Sequence, residues 1–140
     1  GYVYYLLNRI TMHFLFYSSI FFILPTYYAY LNKLYILSLT SCFNSFFSTI
    51  LWYNYNRGNI RTIDVFFAKL SLFVYSIYSF ILIYEKPYLF LIGSLFWTQI
   101  YINYIQSDIS LLYHLNFHIA SILSNITVIY FSVKSDLISV

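Results

Sequence analysis

Two histidines set four residues apart, His114 and His118, are the first residues whose types and spacing could do chemistry. On a helix that spacing puts both side chains on one face. Both imidazoles can then reach a single ion, as in zinc motifs of the same spacing. His13 or Asp64, both expected at a comparable depth, is the candidate third ligand. Zinc with three protein ligands and a water molecule makes a hydrolytic centre. The same pair has a quieter reading as partners in packing or in a polar network, the usual fate of ionisable groups held inside a membrane. Haem ligation by both rings is excluded, because axial ligands approach from opposite faces. The single Cys42 excludes an internal disulfide and a cysteine-rich metal site.

The elements that must position these residues are long apolar runs. Stretches near 20 residues, enough for about 30 Å of hydrocarbon at 1.5 Å per residue, fall at 10–30, 34–53, 63–84, 87–105 and 109–133. Between them lie a polar loop at 54–62, a turn at Glu85 to Pro87 with Pro87 placed to open a helix, and a turn at Gln106 to Asp108. The runs do not alternate as strands of a membrane barrel must; Phe80 to Tyr84 is apolar throughout. A lone apolar run in lipid must satisfy its own backbone, which only a helix does. The expected fold is therefore all-α, a single domain over 1–140 made of about five transmembrane helices, with no soluble domain. Arg9, Arg57 and Arg61 at one end balance Lys33, Lys86 and Lys134 at the other, so the positive-inside rule selects no orientation.

Five spans bring the starts of the first, third and fifth and the end of the second to one side. His13, His114, His118, Asp64, Lys69 and Tyr53 then share one half of the bilayer, and the other half holds no buried ionisable residue. Ser110, His114, His118, Ser121 and Asn125 form one polar stripe on the fifth span. Ser38, Ser41, Ser45 and Ser48, with Thr49 beside the last, form another on the second. Small hydroxylated stripes let helices approach and hydrogen-bond, so the two spans are expected to face each other.

Composition agrees with lipid as the solvent. Hydrophobic residues make up 61% of the chain and charged residues 8%, against roughly 25% charged in an ordinary soluble domain. No basic cluster of the kind used for nucleic acid or anionic lipid is present, and no nucleic acid is expected as a partner. The sequon at Asn125 lies in an apolar stretch and is read as no glycosylation site. Phe, Tyr, Met, Ile, Asn and Lys, whose codons are AT-rich, supply 67 of 140 residues, whereas Gly, Ala, Arg and Pro supply 11. An AT-rich genome follows: mitochondrial, protist or large DNA virus.

A hydroxyl residue, a loop, Arg61-x-x-Asp64 and a late His114-x-x-x-His118, taken in this order over Ser45 to Asn125, resemble the alkaline ceramidase-like (CREST) superfamily of membrane hydrolases. The resemblance implies a helical bundle that binds zinc and cleaves a lipid amide or ester. Thr49 and Asp64 are the catalytic-site candidates it implies, and His114 and His118 the zinc ligands. Tyr53, or Asn54 one residue later, stands where a further zinc histidine is implied, and five spans replace seven. The resemblance thus implies a shortened, degenerate member.

The expected function is a structural or accessory subunit of a larger membrane assembly, in a mitochondrial inner membrane first and a viral membrane next. Its partners would be lipids and other transmembrane subunits, with no cofactor. The alternatives are a zinc-dependent lipid amidase or esterase and a component of an ion or proton path.

Overall fold

A computed structural model describes residues 1–53, 59–107 and 109–135. Six helices and no strand occur among them: α1 (Tyr2–Phe21), α2 (Ile23–Leu31), α3 (Tyr35–Tyr53), α4 (Asn59–Glu85), α5 (Leu89–Gln106) and α6 (Leu111–Lys134). The fold is all-α, as expected. Three units are long and apolar enough to cross a membrane: Tyr2–Leu31, α4 and α6. α3 and α5 fall outside that class. α3 carries its row of Ser and Thr with Asn44, and α5 carries Thr98, Gln99, Asn103 and Gln106.

Several boundaries differ from those read off the sequence. The first run starts at Tyr2 and is interrupted at Phe22, three residues before Pro25. Pro25 has no N–H to give Phe21, and its ring crowds the carbonyl four residues back. At the same point the amide of Phe22 bonds the Ser19 carbonyl, three residues back, at 3.3 Å. α4 begins at Asn59, so Arg61 sits in a helix and not in the loop expected over 54–62; Asn54 and Arg57 lie outside the described residues. Pro87 stays in the turn and α5 opens two residues later. Ser110 does not extend the stripe of α6 but caps the helix, its hydroxyl accepting from the Leu112 amide at 3.2 Å.

The end of α2 closes tightly. The Leu34 amide bonds the Ala29 carbonyl at 2.9 Å and the Lys33 amide bonds Tyr30 at 3.1 Å, a Schellman motif. That motif needs a left-handed residue, and Lys33 takes the role at φ 62°. Ala29 and Leu34 complete it by packing together in the core.

α6 is the hub, touching α1, α2, α4 and α5; α3 packs on α1, α2 and α4. α5 is held along one face by α6 and hardly meets α4. An apolar cluster of Ala29, Leu34, Leu37, Leu82, Leu89 and Ile129 fills one end. Leu15, Leu51 and Trp52 form a smaller cluster towards the other. Beside it the interior is polar, and around it the bundle shows exposed Phe, Tyr, Leu and Ile. The arrangement inverts a soluble protein, which is what a lipid medium calls for.

Candidate functional site

The starts of α1, α4 and α6 and the ends of α3 and α5 converge at one end of the bundle, as an up-and-down alternation of helices requires. Asn8, Trp52, Arg61, Asp64, Ser107 and His114 line an open vestibule of about 480 Å³ there. Beneath it lies a smaller chamber of about 60 Å³, lined by Asp64, His114 and His118 with Asn44, Ser48 and Ser121. Asp64, Val65 and His114 belong to both walls and form the neck between them.

Each of these side chains is placed by helical spacing. His114 and His118 stand one turn apart on α6 with ring centroids 4.8 Å apart, edge to face. The Trp52 ring lies against His114 at 5.2 Å and that of Phe22 against His118 at 5.7 Å. His118 is 4% exposed, and its Nδ1 meets Ser18 Oγ at 2.8 Å. The Ser18 hydroxyl has one proton. When that proton goes to the Leu15 carbonyl, 3.0 Å away, Ser18 accepts from Nδ1–H and the Nε2 of His118 carries the lone pair. Ser121 on the chamber wall keeps a buried hydroxyl with no partner among the described residues, so the chamber has a polar group to offer a water or a ligand.

The two polar stripes face the same chamber, Asn44 and Ser48 from α3 and His118, Ser121 and Asn125 from α6, and α1 bridges the two helices through hydrogen bonds. Ser18 turns to α6, while its neighbour Ser19, 100° further round the helix, turns to α3. Ser19 Oγ lies 2.7 Å from Ser48 Oγ, and Ser45 Oγ donates to the Ser19 carbonyl at 2.7 Å. The rest of the α3 stripe is used elsewhere: Ser41 with the Tyr75 hydroxyl of α4 at 2.6 Å, and Ser38 with the Thr26 carbonyl of α2 at 2.8 Å. Ser18 and Ser19, unassigned by the sequence reading, are therefore the joint of the polar layer. Their signal was two adjacent serines inside an apolar run.

The predicted site residues divide. Asp64, His114 and His118 line one chamber, with the exposed Lys69 at its edge. His13 is exposed and lines a different cleft, outside the bundle, with Arg9 and Tyr53. Tyr53 is 80% exposed, and the residue that meets His114 from α3 is Trp52. Ser48, not the half-buried Thr49, lines the chamber. Among the described residues no three of His, Cys, Asp and Glu come close enough together to hold a metal ion. Comparison with models of protein families, with curated proteins and with solved structures finds no match to this chain.

Proposed function

We propose that the chain is an accessory subunit of a larger membrane assembly, crossing the bilayer five times, with the AT-rich composition supporting a mitochondrial inner membrane as its home. The observation that carries the reading is the outer face of α5. Ser94 and Thr98, four residues apart, lie away from its buried face, among Leu91, Leu95 and Ile102. Gln99, near the middle of the helix, is also exposed, about 100° round from Thr98. Small residues at that spacing let another helix approach, and an amide in hydrocarbon gains by bonding across to it. Lipid offers neither. The polar residues of α3 support five spans in a different way. Ser38, Ser41, Asn44, Ser45 and Ser48 are buried, while Ile36, Leu39, Phe43, Phe46 and Ile50 are exposed, so the low hydropathy of α3 belongs to its inward face.

Isolation of the intact chain from its native membrane in mild detergent tests this reading. A fixed set of partner chains at constant ratio, released by Gln99→Leu, is the expected outcome. A chain that runs alone before and after the substitution refutes it. Tags on the two termini reporting from the same side of the membrane refute the five spans.

A second reading, a lipid amidase or esterase, is favoured by one observation: the open vestibule brings water to Asp64 and His114, with His118 behind them. It predicts stoichiometric zinc in the purified chain and lipid hydrolysis lost on His118→Ala. Elemental analysis without zinc removes it.

A further inference from the structure

A second cleft, of about 580 Å³, lies on the outside of the bundle between α1 and α3. Its chemistry differs from that of the chamber. Tyr5, Arg9, His13 and Tyr17 follow one another at four-residue intervals along α1, and Trp52 and Tyr53 close the cleft from the end of α3. None of its described lining residues is acidic. Met12 and Phe16 give it an apolar lower wall, with the Phe16 ring 5.9 Å from that of Tyr53. The buried Trp52 also lines the vestibule, so it stands between the two spaces.

Arg9 is held ready. Its Nη1 donates to the Tyr5 hydroxyl at 2.9 Å, and its guanidinium lies over the same ring at 5.8 Å from the centroid. A guanidinium carries five N–H donors in a planar fork. One of them is spent on Tyr5. The rest can grip a phosphate through two parallel bonds, the geometry at which arginine excels. His13 adds a second nitrogen donor one turn below, and the phenols of Tyr17 and Tyr53 can donate from the sides.

Depth decides between a lipid and a soluble anion. The cleft sits where α3 ends at Trp52 and Tyr53, an aromatic level typical of the headgroup interface. It opens on the exposed apolar wall of the bundle, away from the vestibule. We infer that this cleft binds the phosphate of an anionic membrane phospholipid, with Arg9 and His13 on the headgroup and Met12 and Phe16 on the first part of an acyl chain. Basic pockets between transmembrane helices take headgroups in this way. The site is independent of the partner surface on α5 and of the chamber chemistry.

The test uses the full chain in micelles supplied with equal amounts of phosphatidylglycerol and phosphatidylcholine, with bound lipid read by native mass spectrometry. Phosphatidylglycerol is expected to be retained in preference, and Arg9→Gln to reduce its retention about tenfold, as loss of a charged hydrogen bond implies. Arg9→Lys should keep part of the preference. His13→Gln, at an exposed position, provides a second variant should Arg9→Gln disturb folding, and it too should lower retention. Lys134→Gln, at the opposite end of the bundle, should leave retention unchanged. Equal retention of the two lipids, or no loss in either Arg9→Gln or His13→Gln, overturns the inference. Displacement of phosphatidylglycerol by excess inorganic phosphate also overturns it, by showing a site for the free anion.

Discussion

The adjacency of Ser18 and Ser19 makes a quantitative prediction about how the bundle is held. Four single substitutions, Ser18→Ala, Ser19→Ala, Ser48→Ala and His118→Ala, define two matched double-mutant cycles and two crossed ones. Hydrogen bonds between transmembrane helices couple by about 0.6 kcal/mol on average and at most about 1.7 kcal/mol. The Ser18–His118 bond borders, through His118, a chamber of about 60 Å³, room for about two water molecules. Water that enters after truncation replaces part of the loss, so this coupling belongs near the average. Ser48 lines the same chamber, so its bond with the fully buried Ser19 should couple by a similar amount. The crossed pairs, Ser18 with Ser48 and Ser19 with His118, share no bond and should couple by less than about 0.5 kcal/mol. Reversible unfolding in mixed micelles measures all four. Crossed coupling as large as matched coupling would show that α1 transmits general packing and does not serve two neighbours through two separate hydroxyls.

Two further outcomes follow from the geometry. Lys33→Gly should raise stability by about 0.5 to 1 kcal/mol, since the left-handed conformation costs a residue with a Cβ roughly 1 kcal/mol or more and the extra freedom of glycine in the unfolded chain returns part of the gain; an unchanged or lowered unfolding midpoint refutes the assignment of strain there. Trp52→Ala should cost about 3 kcal/mol as a buried indole is lost and join the outer cleft to the vestibule. Carbethoxylation of His114 should then rise while that of the exposed His13 stays as it was, and equal labelling of His114 before and after contradicts the role of Trp52 as a partition.

The helical class and the gathering of polar residues at one end were legible because both follow from apolar run length and span parity. Given the alternation of spans, Asp64, His114 and His118 had to share a level, and their spacing put the histidines on one face. What parity cannot supply is azimuth, the direction in which each helix face points. His13 shares the level of the chamber yet points outward, because its row on α1 runs through Arg9 and Tyr17, away from the face carrying Leu15, Ser18 and Ser19. Tyr53 and Trp52 exchanged roles for the same reason: one residue on a helix is 100° of rotation. Two polar faces were visible in the sequence and both line the chamber, but the helix that bridges them announced itself only by Ser18 and Ser19. The break at Phe22 was hidden by a continuous apolar run, although Pro25 lay within it.

That break bears on which membranes suit the protein. Thirty helical residues from Tyr2 to Leu31 would measure about 45 Å if straight, half as long again as a hydrocarbon layer of about 30 Å. A rod of that length must lean steeply or thicken the lipid around it, and hydrophobic mismatch costs a fraction of a kcal/mol per ångström. A bend at Phe22, where the helix is interrupted, would turn the second part of the rod away from the membrane normal and shorten its reach. The remaining surplus lies in the first turns of α1, whose Tyr2 to Leu7 are all exposed. Bilayer thickness then becomes a variable to which this bundle responds, with thin membranes exacting the greater tilt.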